Sequence, residues 1–526
     1  MVWRRWIPLL ILLAVVGGVV AQRLRQPQEG ESYRQQQAAA RRAVFVEYAR
    51  KGFRHAIELF LDSGMAGDPA ALNQGLLAAA EENHTDTARL LLERGADPRT
   101  RGPEGFSVLM HAALRGNEPL ADLLLQKGAD PRHRDQAGRT TLMAASASGH
   151  PALVQRFLEA GVDVNAQDRF GLTALMWAAT AGHEEVAALL LEHGARVDQT
   201  EQNGYTALWL AVTRQHLGVT TRLLEAGADP ARINTSGDPL FLDAVLTGNV
   251  ALVRLLLKHG APPDIADAQG RTPLLVAAQR GWDALAEDLL AAGADIRRPG
   301  PQGRTPLHAA TAAGHKSTVR LLLKHRPDLD AQDAAGRTAL IISALAGHRP
   351  ITRLLLEAGA SVHPQDREGL NALKAAAARG DLNTVRLLLQ HGAEIHPGKD
   401  RGLTALNSAA FGGNTDIVRL FLKLGADPHG RDARGMTPLI AAAFGNRPEM
   451  VRLFLERGVD VNARTDNGWT ALMSAAFEGN EKIVDLLLEA GADPAARTRD
   501  GWTALKSAAL GGHRAIQEKL KQRLGR

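Results

Sequence analysis

Residues 171–195 read GLTALMWAATAGHEEVAALLLEHGA, and this stretch decides the fold. Gly171 and Thr173 precede a run of small residues that stops at Gly182. Leu189, Leu190 and Leu191 follow, and the second run stops at Gly194. The local reading is a turn, a short small-residue helix, a glycine stop and a leucine-striped helix. Stepping from Leu175 by 33 residues lands on Leu208, Phe241, Leu274 and Leu307, and onward to Leu505; stepping back lands on Leu142, Leu109 and Leu76. Fourteen positions hold one register without insertion or deletion, and a fifteenth, degenerate copy starts near Phe45, two residues out of step. The register residue is position zero below.

Other positions repeat with it. Minus four is Gly from Gly105 to Gly501, as a turn with positive φ demands. Minus two is Thr in ten copies, including Thr140, Thr173, Thr305 and Thr503, where a hydroxyl caps the next helix. Pro273, Pro306 and Pro438 at minus one suit a first helical turn. Plus three is Ala except at Ser343, which brings neighbouring helices close. Plus seven is Gly except at Asn83, Gln215 and Asn446, and asparagine tolerates the left-handed conformation. Positions plus fourteen to sixteen are mostly Leu, and plus nineteen is Gly again in the recurring GAD.

No such unit buries its own leucine face, so stacked neighbours must share a core. The segment GRTPLHAATAAGH, Gly303 to His315, resembles the ankyrin repeat, and the resemblance covers about residues 43 to 526. It implies an all-α solenoid of about fifteen helix-turn-helix repeats with short hairpin loops. The first copy, from Val44 to Gly64, and the last helix, with Ile516, Leu520 and Leu524 turned inward, are expected to cap the two ends.

Composition agrees. The 526 residues are 45% hydrophobic but only 4% aromatic, which suits a core of Ala and Leu. A net charge of +5 is too thin over this length to argue for nucleic acid. The absence of cysteine excludes disulfides, thiolate metal sites and thiol nucleophiles.

The amino-terminal segment carries its own signals. Arg4 and Arg5 precede the apolar run Trp6–Ala21, and Arg23 and Arg25 follow it. Sixteen residues span roughly 24 Å as a helix, short for a membrane and long for a signal-peptide core. Residues 1–21 therefore read as an uncleaved signal anchor or as a cleaved signal peptide ending at Val19-x-Ala21. A five-residue tail with two arginines is hard to translocate. That favours a chain on the outer side of a bacterial inner membrane or free in the periplasm, the alternative being the membrane's cytoplasmic face. The Arg/Ala/Gly/Leu-rich composition has a bacterial look, and residues 22–42, polar and Gln-rich, read as a spacer.

No catalytic constellation emerges, and neither a cofactor nor a metal site is expected. His84, His150, His183, His216, His315, His348 and His513 fall at plus eight, one per repeat, so they do not converge on a metal. In ankyrin-like proteins this histidine bonds neighbouring loop backbone. GHKST at Gly314 lacks the upstream spacing of a phosphate loop, and HEE at His183 lacks a second zinc-binding histidine. Arg271, Arg304 and Arg337 at minus three read as solvated loop tips.

One departure points to a partner. The resemblance places partner contacts on the hairpin tips and the open side of the first helix, the concave face. In the last four repeats minus three reads Leu403, Met436, Trp469 and Trp502, and plus five reads Phe411, Phe444, Phe477 and Leu510. These eight side chains are expected to form two adjacent apolar stripes larger than an idle surface patch. Lys374, Asn407 and Lys506 at plus one are expected to rim them. The competing reading packs Trp469 and Trp502 on the neighbouring hairpin. Tyr205, Trp177 and Trp209 form a weaker aromatic group. The expected function is a protein-binding scaffold at the cell envelope, with a secreted effector or immunity-type inhibitor as the alternative and an enzyme as the remote one. Small-molecule substrates and nucleic acid are not expected, and the membrane enters only through the amino-terminal segment.

Overall fold

The computed structural model describes residues 30–395 and 404–525. Leu403 and the apolar run Trp6–Ala21 lie outside the described residues. Among the described residues there are 30 α-helices and no strands, and the chain forms an all-α solenoid of repeated helix-turn-helix units. It divides into two compact units, one ending at Asp229 and one beginning at Pro230.

In each unit the local chemistry foreseen at each register position is what builds the repeat. All ten minus-two threonines stand at the N-cap, and each hydroxyl accepts a hydrogen bond from the backbone N–H at plus one; Thr173 takes that of Met176 and Thr470 that of Met473. Helices start at Pro273, Pro306 and Pro438 as their missing N–H permits. The plus-seven residue takes positive φ whether it is Gly182 (82°), Asn83 (63°), Gln215 (61°) or Asn446 (59°). Glycine also fits there for space. A Cβ on Gly182 would come within 2.6 Å of the His216 ring.

First helices pack on first helices and second on second. The plus-three residues Ala178, Ala211, Ala277 and Ala475 are fully buried, and so is Ser343. Of the three consecutive leucines, the middle one is the core residue. Position plus fifteen is 0% exposed in every repeat, whether Leu190, Leu256, Phe157, Phe421 or Phe454, whereas Leu189 and Leu191 are half-buried. The helix phase explains this, since only one residue in three consecutive ones points straight at the neighbouring first helix.

The ends differ in detail from the sequence reading. Gly30–Arg50 is one helix, so residues 30–42 of the expected spacer are helical and continue into the first degenerate repeat. Phe45, Ile57 and Leu61 of that repeat are buried, while Phe53 and Leu59 are exposed. In the final helix, Arg514–Arg523, Ile516 and Leu520 are buried and Leu524 just beyond it is half-buried. No helix among the described residues is long and apolar enough to cross a membrane.

Candidate protein-docking face

Four first helices carry the late apolar row: Ala405–Gly412, Pro438–Phe444, Ala471–Glu478 and Ala504–Leu510. Plus five falls in the last turn of each, past the residues that face the core. Phe411 is 37% exposed, Phe444 45%, Phe477 38% and Leu510 67%. The Phe411 and Phe444 rings stand 6.0 Å apart, tilted by 37°, a contact range for aromatic pairs.

The close spacing has a cause that the sequence reading missed. Plus six is glycine in three of the four repeats, at Gly412, Gly445 and Gly511. A Cβ on Gly445 would sit 2.4 Å from the Phe411 carbonyl oxygen, and one on Gly412 would sit 2.5 Å from that of Ala378. At these two positions a larger residue would require the neighbouring backbone to shift, whereas the repeat of Leu472 carries Glu478 at plus six. The signal was present as Phe-Gly-Gly and Phe-Gly-Asn, where an aromatic directly precedes the glycine.

The hairpin tips are less open. Met436, Trp469 and Trp502 are half-buried. Trp469 Nε1 donates to Ser474 Oγ at 2.9 Å, and Trp502 Nε1 donates to Ser507 Oγ at 2.9 Å. Each indole thus leans on the first helix of its own repeat. With about 200 Å² for a full ring, the exposed fractions give the four plus-five side chains on the order of 350 Å². That lies within the range of the largest patch on an ordinary monomer, often a functional one.

The rim needs a correction. Lys374 is 1% exposed and its Nζ donates to the Gly369 carbonyl at 2.7 Å, so it sits in the core and not at an edge. Asn407 is also buried, and its Nδ2 donates to the Met436 carbonyl at 2.8 Å. His308 at the same register position donates or accepts through Nε2 at the Arg337 carbonyl, 3.0 Å away. At Asn407 and His308, plus one is therefore covered by the following hairpin. Lys506 alone of the three is exposed, with Nζ 3.0 Å from the Gly501 carbonyl.

Other sequence candidates are structural. His183, His216, His315 and His513 each place Nε2 3.0–3.2 Å from a carbonyl of the preceding repeat, at Ala147, Thr180, Gln279 and Phe477. Trp209 is 1% exposed and meets Tyr205 edge-on at 5.1 Å, so that aromatic group is largely core. The arginines at minus three are pinned and not simply solvated: Arg271 Nε lies 2.6 Å from Asp267, and Arg337 Nε lies 3.3 Å from Asp366. No group of three or more His, Asp or Glu able to hold a metal is found among the described residues. Two histidines are pushed toward the neutral form. Burial, helped by Arg115, lowers His111 to about 4, and burial lowers His308.

Stacked helix pairs with capped hairpins and an open first-helix side define a repeat scaffold, a class that works by contact with macromolecules. Family models for ankyrin repeats match residues 45–234 in overlapping segments, 241–284, and 275–523. The chain belongs to the ankyrin repeat family, whose members are generally non-enzymatic scaffolds for protein–protein interaction. The comparison with curated proteins gave no match.

Proposed function

We propose that the protein holds a partner protein on the first-helix face of its last four repeats, at the outer side of a bacterial cytoplasmic membrane. The observation that carries the reading is the row Phe411, Phe444, Phe477 and Leu510, 37–67% exposed in the last turns of four successive first helices. Large rings on a rigid scaffold lose little conformational freedom on binding, so they suit an interface core. Trp469 and Trp502 stand half-buried at the hairpin tips of the same repeats, and the exposed Lys506 would supply a polar edge. The membrane placement rests on the apolar run Trp6–Ala21 between arginine pairs.

The test is capture from cell envelope with the full chain and with the Phe444→Ala/Trp469→Ala variant. The variant is expected to lose the partner while keeping its helicity and melting profile. Equal capture by both chains would exclude this face.

A further inference from the structure

The second helices carry a separate pattern. From the repeat of Leu307 to that of Leu439, plus thirteen is arginine without a break: Arg320, Arg353, Arg386, Arg419 and Arg452. All five are exposed, and none makes a side-chain hydrogen bond or ion pair with a described residue. Glu449, one turn before Arg452, is held by Lys482 Nζ at 3.0 Å, and Asp416, one turn before Arg419, makes no ion pair with it.

An earlier repeat shows how such an arginine is settled. Arg254, also at plus thirteen, meets Asp288 at plus fourteen of the next repeat, with Nε 2.7 Å from the carboxylate. For the five ladder arginines that next-repeat position holds Leu354, Leu387, Leu420, Leu453 and Leu486, so the acceptor is gone. Packed helices stand roughly 10 Å apart, so like charges are stacked at that pitch; the exposed Glu357 and Glu456, one turn after Arg353 and Arg452, make no ion pair with them.

A complementary ladder exists in the unit that ends at Asp229. There plus seventeen reads Glu93, Gln126, Glu159, Glu192 and Glu225, all exposed. Glu93 and Glu192 make no side-chain bond with a described residue. Glu159 accepts one hydrogen bond from Gln155, and Glu225 lies 3.5 Å from Arg222. The plus-thirteen row beside this ladder contains a single cation, Arg89. Both ladders run over five repeats and share the 33-residue step, so their rungs have the same pitch.

We propose that the arginine ladder is an interface for a second copy of this chain, which presents its glutamate ladder. The equal pitch lets four of the five rungs meet an opposite charge in one register, Gln126 being the neutral rung, which an irregular polyanion would not do. No aromatic side chain interleaves the arginines at plus nine, ten, thirteen or seventeen, so the surface lacks the stacking groups of a single-stranded nucleic-acid site. Exposed pairs are individually weak, and a row of them gives association that salt dissolves.

The experiment is sedimentation velocity of the full chain in a neutral detergent, at about 50 mM and about 500 mM salt, where the screening length falls severalfold. The chain is expected to self-associate at low salt and to dissociate at high salt, with the apparent dissociation constant rising about tenfold or more. Two variants complete the test: Arg→Glu at 320, 353, 386, 419 and 452, and Glu→Lys at 93, 159, 192 and 225. Each alone should be monomeric with unchanged circular dichroism, and a mixture of the two should associate again. A chain that is monomeric at low salt, or associates regardless of salt and of both variants, overturns the proposal. So does a monomer whose arginines instead bind phosphatidylglycerol vesicles over phosphatidylcholine ones, which would assign the ladder to a lipid surface.

Discussion

Replacing Phe444 and, separately, Phe454 by alanine compares the two faces within a single repeat. Phe444 is 45% exposed at the end of the first helix, and Phe454 is 0% exposed in the second. A phenyl ring with about 200 Å² of surface, half of it buried, contributes about 2.5 kcal/mol at 25 cal/mol per Å². That figure is an upper bound, because the unfolded chain already shields part of the ring. Alanine also returns about 0.5 kcal/mol through its helix propensity. The expected net cost of Phe444→Ala is therefore about 1 kcal/mol. Phe454→Ala loses the full area and leaves a cavity, for about 3–5 kcal/mol. A repeat array does not unfold in one step, so the assay is native-state hydrogen exchange read on peptides from residues 438–455. The two variants should differ by about 2 kcal/mol or more in local opening energy. Equal losses would show that the Phe444 ring belongs to the core, and the docking row would fall with it.

Three further outcomes are expected. Arg326 takes φ of 51° where other repeats have glycine, so Arg326→Gly should stabilise its repeat by about 1 kcal/mol; calorimetry showing a lower melting temperature would contradict this. His111 is held neutral down to about 4 against 6.5 when unfolded, so below pH 6.5 the unfolded chain takes up a proton that the folded one refuses. Stability should thus hold above pH 6.5 and fall by about 3 kcal/mol as pH drops toward 4, a decline that His111→Gln should reduce in a denaturant titration against pH. Thr206→Ala removes the acceptor for the Trp209 N–H and should cost about 1 kcal/mol, read as faster amide exchange at the start of helix Ala207–Thr213.

The repeat was legible because its rules are local. A threonine cap, a left-handed plus-seven residue and an alanine at a close helix contact each depend on a few neighbouring atoms, so the 33-residue register carried them to Thr503 and Asn446 alike. What the register did not show was coverage by the next repeat. Lys374, Asn407 and Lys506 share one position, yet the first two are buried and the third is exposed: the following hairpin lies over Asn407, Lys374 is held at the Gly369 carbonyl, and Lys506 falls in the last repeat matched. The tryptophans were ambiguous for a related reason. Their indole donors needed a partner, and Ser474 and Ser507, five residues on, supply it from the same repeat. The close backbone approach at Gly412 and Gly445 was likewise hidden, because it required knowing which carbonyl lies opposite them.

The central claim is that function resides in contact along the first-helix face of the late repeats. The most direct measurement places a photoreactive phenylalanine analogue at position 444 and, as a control, at the exposed hairpin position 104, in cells producing the full chain. Irradiation should join a protein partner to the chain through position 444 and not through 104. No adduct at 444, or the same adducts at both positions, would contradict the account.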